Sequence, residues 1–191
     1  MPKEWKGWVW EPPARCVGGA PPTTDPMTQT PSLLLAWRGE QRTVRAARPF
    51  ASGDLLLLLR GWLCAQPTRH TIQLDDERHL EGEPTALWRY LQHACAPNAA
   101  IRDRELLAIA PIAAGDEITF DYETTEWDMA SPFACTCGAP MCRGIVRGFR
   151  HLDAGARAAL APRAAPHLLR RAALAPVDVV ADVEGKQTAR G

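Results

Sequence analysis

The sequence predicts a mainly β fold, and two observations carry that prediction. The apolar runs are short and are separated by frequent turn residues, a pattern typical of short strands joined by tight connections. Helical patterns do not alternate with these runs, so a parallel sheet built from βαβ units is not expected. With 191 residues, of which 46% are hydrophobic and 23% charged, the chain is long enough for one domain with short extensions.

Residues 1–30 are predicted to be a disordered leader. They contain the run EPPARCVGGAPPTTDP and show no apolar periodicity. Met27 lies just before the first apolar run and is therefore a candidate for the true first residue. No apolar segment precedes Pro12 and Pro13, so a secretory signal is not expected.

Short strands are predicted from Leu33 onward. The runs SLLLAWR and TVRAARPFASGDLLLLLRGWL come first, and Ser52-Gly53-Asp54 divides the second run as a tight turn does. TIQLDD and HLEG predict two further strands around a turn. ELLAIAPIAAGDEITFDY repeats the earlier pattern, with a Gly115-Asp116 turn before the strand EITFDY.

The last part of the chain, residues 153–191, predicts helix followed by a disordered tail. Alanine, leucine and arginine dominate it, and these are good helix formers. Because proline interrupts helices, one or two short helices broken at Pro162 and Pro166 are expected. The end of the chain is expected to be frayed.

The overall charge and hydropathy limit the classes of partner. The formal net charge is zero, so direct nucleic-acid binding is not expected. The longest uninterrupted apolar run, LLLLL at 55–59, is far shorter than the ~20 residues that span a bilayer, so no membrane partner is expected. Together with the lack of a signal, this predicts a cytoplasmic protein with reduced thiols.

Three of the six cysteines, Cys135, Cys137 and Cys142, follow a C-x-C-x4-C spacing that indicates a metal site. A closed structural zinc site needs four ligands, so one more must come from elsewhere in the chain. Cys95 stands before a Pro-Asn turn and is the best local candidate, while His93 competes with it. Of the other two cysteines, Cys16 lies in the leader, and Cys64 has the apolar neighbours of a buried core cysteine.

Three motifs taken together resemble those of the SET-domain family of protein lysine methyltransferases. They are RYLQHACAPN, then EITFDY about twenty residues later, then C-x-C-x4-C-x-G, and the resemblance covers roughly residues 33–152. It implies a SET domain over 31–130, made of small curved, β-clip-like sheets with a pseudoknot-like threading of the C-terminal segment. It also implies a post-SET zinc segment over 131–152, with the zinc held by Cys95, Cys135, Cys137 and Cys142.

The same resemblance implies methyl transfer from S-adenosyl-L-methionine to a lysine side chain of a protein substrate. Tyr122 matches the family's catalytic tyrosine, and Phe120 matches an aromatic residue of the substrate channel. For cofactor binding, His93 matches the family pattern, whereas Gln92 replaces an asparagine and Arg42 lies where a G-x-G is expected. A third departure is the run LLRGWL, where the family commonly has a Y-x-G tyrosine. These departures leave a second interpretation open, namely a catalytically degenerate peptide-binding or scaffold module with the same fold.

An acidic run suggests the charge of the substrate. No lysine or arginine lies between Gly115 and Asp128, whereas six acidic residues do: Asp116, Glu117, Asp121, Glu123, Glu126 and Asp128. Such a run could be an acidic rim beside Tyr122 that attracts a basic, lysine-containing protein. Alternatively it is a solvated loop face, or its charge is balanced at the surface by the arginines that follow the cysteines.

Overall fold

The computed structural model describes residues 16–17 and 32–174, and in this part of the chain β structure predominates. Its strands are β1 Cys16–Val17, β2 Leu33–Arg38, β3 Gln41–Ala46, β4 Leu55–Leu58, β5 Trp62–Cys64, β6 Ile72–Gln73, β7 His79–Glu81, β8 Gln92–His93, β9 Ala99–Arg102, β10 Glu105–Ala108, β11 Thr119–Phe120, β12 Phe133–Ala134 and β13 Ile145–Val146. Three 3₁₀ turns, Leu87–Tyr90, Tyr122–Thr124 and Phe149–His151, precede helices α1 Ala154–Leu160 and α2 Pro166–Leu174. The predicted mainly β fold with short C-terminal helices is confirmed.

The described strands form small sheets, almost all of them antiparallel. One sheet has the order β1-β5-β7-β6 and another β4-β10-β9, while β2-β3, β8-β11 and β12-β13 are separate pairs. The exception in direction is β8-β11, which is parallel, with Gln92 opposite Thr119 and His93 opposite Phe120. This pairing places the QHAC and TFDY motifs side by side, although they lie far apart in sequence.

Both predicted turns are present. Gly53 has a φ of 95°, and the Asp54 N–H donates to the Ala51 carbonyl at 3.1 Å. Gly115 has a φ of 90°, and the Asp116 N–H donates to the Ala113 carbonyl at 3.2 Å. Glycine adopts such positive φ values without steric cost, which is why these positions could be recognised in the sequence.

The leader prediction is wrong at two residues. Cys16 and Val17 form β1, which pairs with β5, and Cys16 forms a disulfide with Cys64. Cys64 is buried, as predicted, but it is bonded to Cys16 and is not a free core thiol. The other residues of the predicted leader, including Met27, lie outside the described residues, as does the predicted tail beyond residue 174.

Two hydrophobic clusters support the fold. The larger joins the sheets around fully buried residues such as Val44, Leu80, Leu106 and Ile118. The smaller packs the C-terminal helices onto the domain through Phe149, Leu160 and Leu168. Burial of each such side chain stabilises the fold by roughly 1.5–3 kcal/mol.

The helical prediction for the C-terminal part is confirmed. Asp153 caps α1 by accepting the Ala156 N–H at 2.7 Å, and α1 ends before Pro162. Pro166 is the first residue of α2, a position where its fixed φ suits a helix and its missing N–H is not needed. None of the described helices is long and apolar enough to cross a membrane.

Candidate functional site

Four cysteine sulfurs converge at one point of the structure. The Sγ atoms of Cys95, Cys135, Cys137 and Cys142 all lie within 4.8 Å of one another, and Cys95 and Cys135 are 4.0 Å apart. Tetrahedral zinc with Zn–S bonds of about 2.3 Å separates its sulfurs by about 3.8 Å. The four thiols therefore form a cluster that could hold zinc after a small contraction.

Cys95, and not His93, lies in the group of side chains that could hold a metal ion. The structure groups Cys95 with the three later cysteines, and the His93 ring lies beside this group. His93 Nδ1 accepts the Tyr122 N–H at 3.2 Å, which leaves Nε2 to carry the proton. Nε2 lies 3.4 Å from the Cys95 sulfur, so His93 is placed to donate a hydrogen bond to this thiolate.

The surroundings favour a neutral imidazole at His93 and affect the thiols of the cluster differently. Burial lowers the pKa of His93 to about 4. Burial also raises the pKa of Cys95 to about 12, whereas backbone N–H groups of Cys95 and Ala139 lower the pKa of Cys137 to about 6. A coordinated metal ion would deprotonate the thiols outright.

Tyr122 follows β11 and lies next to this cluster. Its hydroxyl donates a hydrogen bond of 2.6 Å to the Leu91 carbonyl. Its ring packs against His93, Phe120 and Phe133, with ring centroids 5.3, 4.8 and 5.9 Å away. Burial raises the pKa of the phenol above its ordinary value, so Tyr122 is a neutral hydrogen-bonding group.

Arg143, one of the arginines expected from the sequence to balance acidic charge at the surface, connects the cysteine segment to the turn that carries Tyr122. Its guanidinium donates to Asp121 Oδ1 and to Glu123 Oε2, both at 2.6 Å. The other Glu123 oxygen accepts the N–H groups of Arg147 and Gly148 at 3.1 and 3.2 Å. The two residues on either side of Tyr122 are thus held by the segment that follows Cys142.

The acidic run is divided between the interior and the surface of the domain. Asp121, Glu123 and Glu126 are only 2%, 1% and 8% exposed. Closer to the surface, Glu117 pairs with Arg38, and Asp128 pairs with Arg150 and His151. Balance at the surface by an arginine that follows the cysteines, the third alternative, holds for Asp128 alone, because Asp121 and Glu123 meet Arg143 in the interior. Sequence spacing could not show which acidic residues are buried, because burial depends on the packing of distant segments.

Two of the residues predicted to bind the cofactor are in contact with each other. Arg42 lies over the rings of Trp37 and Tyr90, 5.4 Å from each centroid. Gln92 Nε2 donates to the Arg42 carbonyl at 2.8 Å, so the longer side chain that replaces asparagine reaches the main chain of β3. The structure thus joins Gln92 to Arg42, whereas His93, the next residue of β8, contacts Cys95 and Tyr122. The cofactor role of all three stays a prediction.

A cavity of about 60 Å³ opens beside Tyr122. Phe120, the predicted channel residue, is in its wall, together with Trp88 and Leu91. Glu126 also lines it, and its relation to Tyr122 could have been noticed from the sequence because Glu126 lies four positions after Tyr122. Such spacing places two side chains on one side of a helical turn.

Residues 41–123 match the family model described as SET domain. The methyltransferase flvH of Aspergillus flavus is 37% identical over 75 residues, which is 34% of this chain and 39% of flvH. An H3 lysine-4 specific histone-lysine N-methyltransferase of Schizosaccharomyces pombe is 39% identical over 66 residues, 30% of this chain and 7% of that protein. The chain thus spans less than half the length of these relatives.

Among solved structures, one titled crystal structure of KRYPTONITE in complex with mCHG DNA and SAH resembles the present one. The TM-score is 0.49 and the sequence identity 21%, over 59% of this chain and 28% of that chain.

Proposed function

We propose that this chain, which contains a SET domain, transfers methyl groups from S-adenosyl-L-methionine to lysine side chains of a protein substrate. The observation that supports this most is the position of Tyr122. Its neutral hydroxyl lies at the wall of a narrow cavity, beside the parallel strand pair that joins the two motifs. A polar group fixed before the reaction can orient an amine and a methyl donor without reorganisation.

Zinc bound by Cys95, Cys135, Cys137 and Cys142 is part of the proposal. The four sulfurs are close enough for one ion, and their side chains include no oxygen donors that calcium or magnesium would prefer. Zinc–thiolate binding can contribute on the order of 10 kcal/mol toward the folding of a segment. The ion would thus fasten the post-SET segment, proposed at 131–152, to the end of the SET domain, proposed at 31–130.

The substrate is proposed at the level of a lysine-containing protein. Because the relative from Schizosaccharomyces pombe is named for histone H3 lysine-4, histone H3 is the first protein to test. A basic substrate and a cytoplasmic location stay predictions from the sequence, and the buried acidic run gives the former no support.

A labelled-cofactor assay tests the function. Purified protein is incubated with methyl-labelled S-adenosyl-L-methionine and a panel of basic proteins that includes histone H3. We expect label on lysine with the natural protein and none with Tyr122→Phe, since this variant keeps the ring but loses the hydroxyl that reaches Leu91. Unchanged turnover in Tyr122→Phe would remove Tyr122 from the mechanism.

Calorimetry with the same preparations separates the enzyme from the scaffold module. Heat of binding in the micromolar range for S-adenosyl-L-methionine is expected of an enzyme. Neither binding nor label transfer, in a protein that is folded and loaded with zinc, would favour the module.

A further inference from the structure

Four carboxylates are buried in the described part of the chain, and three of them have an arginine partner. Glu81 pairs with Arg89 at 2.9 Å, and Asp121 and Glu123 both pair with Arg143 at 2.6 Å. Glu126 is the exception, since within residues 16–17 and 32–174 no cation lies within ion-pair distance of it. A buried carboxylate without a counter-charge is costly, so its persistence calls for a ligand or a role.

The hydrogen bonds of Glu126 satisfy one of its two oxygens. Oε1 accepts the Gln73 N–H at 2.8 Å and the Thr125 hydroxyl at 3.3 Å. Among the described residues, no hydrogen bond reaches Oε2. Burial raises the pKa of Glu126 to about 7, and the two hydrogen bonds only partly oppose this effect.

Glu126 faces the cavity that Tyr122 lines. The Glu126 N–H donates to the Tyr122 carbonyl at 3.0 Å, so one helical turn brings the two residues to the same wall. The apolar side chains of its lining include Trp88, Leu91 and Phe120. Within the described part of the chain, Glu126 is the one carboxylate on this wall.

The cavity has the size of an unbranched amine. Its volume of about 60 Å³ corresponds to roughly four to six water-sized positions. Beyond its Cα, lysine has four carbons in a row and a terminal nitrogen, which fill a similar number of positions. The branched, planar head of arginine requires more width at the end of the cavity.

We infer that Glu126 is the group that receives the cationic end of the substrate's lysine side chain in this cavity and takes its proton. The inference rests on the proposed function. One N–H bond of the ammonium breaks and its proton passes to the carboxylate, which leaves an electron pair on nitrogen. That pair forms the new N–C bond as the S–CH₃ bond of S-adenosyl-L-methionine breaks and its electrons return to sulfur. Glu126 then releases its proton to water.

The other charged and titratable groups that face the cavity do not replace Glu126 in this role. Arg69 and His70 are exposed on the loop between β5 and β6, and Arg89 is held by Glu81. Burial raises the pKa of the Tyr122 phenol, so Tyr122 is a poor proton acceptor. Arg69 is a further cation in the lining, so a carboxylate inside the cavity favours the entry of an ammonium group.

The test compares Glu126→Gln with Glu105→Gln, an exposed control on β10. Glutamine keeps the size of glutamate and the oxygen that Gln73 and Thr125 contact. Methyl transfer from S-adenosyl-L-methionine to a histone H3 peptide of residues 1–15 is measured from pH 7 to pH 10. At pH 7 we expect kcat/KM to fall by about 100-fold in Glu126→Gln and to stay unchanged in the control. The deficit should shrink by at least about tenfold at pH 10, where free lysine begins to lose its proton.

A merely structural role would lower the rate by the same factor at every pH, and that result would overturn the inference. Activity of Glu126→Gln within about twofold of the natural protein at pH 7 would overturn it as well. Both outcomes would leave the proposed function standing.

If the natural protein transfers no methyl group, the proposed function fails and amine binding decides the inference separately. Binding of n-butylamine is followed by ligand-observed NMR, with n-butanol as the uncharged control. Binding of the amine to the natural protein, but not to Glu126→Gln, supports the cation site. Equal binding to both proteins, or none to either, contradicts it.

Discussion

Replacing Arg143 by methionine tests the connection between the cysteine segment and Tyr122. The variant keeps most of the length of the side chain and removes the charge that Asp121 and Glu123 share. Both carboxylates are 1% exposed at the side chain, and Arg143 itself is 16% exposed. Removing one partner of such a buried ion pair costs about 3–5 kcal/mol, mainly because a buried charge is left unpaired.

At pH 8, Arg143→Met is expected to lower the free energy of unfolding by about 3–5 kcal/mol. The loss is not twice as large, although two ion pairs are broken, because both carboxylates keep other hydrogen-bond donors. Glu123 retains the N–H groups of Arg147 and Gly148, and Asp121 retains the Glu123 N–H at 3.2 Å. Burial already raises the pKa of Asp121 despite the arginine. Without Arg143 that pKa rises further, so the variant should regain part of its stability at pH 5, where the carboxyl binds a proton.

Urea denaturation of zinc-supplemented protein at pH 8 and pH 5 measures this effect, with zinc content determined in parallel. Arg150→Met is the matched control, because its pair with Asp128 is about half exposed and should contribute less than about 1 kcal/mol. A loss for Arg143→Met that is no larger than for Arg150→Met would refute the reasoning. So would a loss at pH 5 that equals the loss at pH 8.

Three further changes have defined outcomes. Cys95→Ser should release the metal, measured as zinc per protein by elemental analysis, whereas one zinc per chain in this variant would make His93 the substitute ligand. Gly148→Ala should lower the free energy of unfolding by at least about 2 kcal/mol. The φ angle of Gly148 is 111°, and the new Cβ would lie 2.6 Å from the Trp127 carbonyl oxygen. An unchanged midpoint of urea denaturation would contradict this. The pKa of Glu126 is about 7 in the folded protein, against an ordinary value of 4.5. Its contribution to the free energy of unfolding is therefore fully present below pH 4.5 and is lost as the pH rises through 7, a change of about 3 kcal/mol in all. Relative to the natural protein, Glu126→Gln should therefore gain stability between pH 5 and pH 8, and parallel pH profiles of the two proteins would speak against it.

Features with a local signal could be predicted from the sequence. The turns at Gly53 and Gly115 follow from the backbone freedom of glycine, and the helix boundaries near Pro162 and Pro166 follow from the geometry of proline. The cysteine cluster could also be predicted, since three of its members lie close together in sequence and Cys95 precedes a recognisable Pro-Asn turn.

Features that depend on long-range packing could not be predicted. The Cys16–Cys64 disulfide joins residues 48 positions apart, and the sequence around neither cysteine indicates its partner. Arg143 was expected to balance acidic charge at the surface, yet it lies over two buried carboxylates. The burial of Glu126 likewise depends on Gln73, which lies 53 residues away and supplies its main-chain N–H.

The metal cluster and the buried ion pairs act on the same tyrosine from two sides. Through the first route, His93 contacts the Cys95 sulfur with Nε2 and accepts the Tyr122 N–H with Nδ1. Through the second, Arg143 holds the side chains on either side of Tyr122, while its own N–H donates to Cys95 at 3.5 Å. A thiolate at Cys95 strengthens the bonds it accepts from both groups, because charged acceptors bind N–H donors more strongly than neutral ones. Binding of a metal would therefore fix the His93 tautomer and the Tyr122 main chain together, which gives the zinc segment a role in the geometry of the cavity as well as in folding.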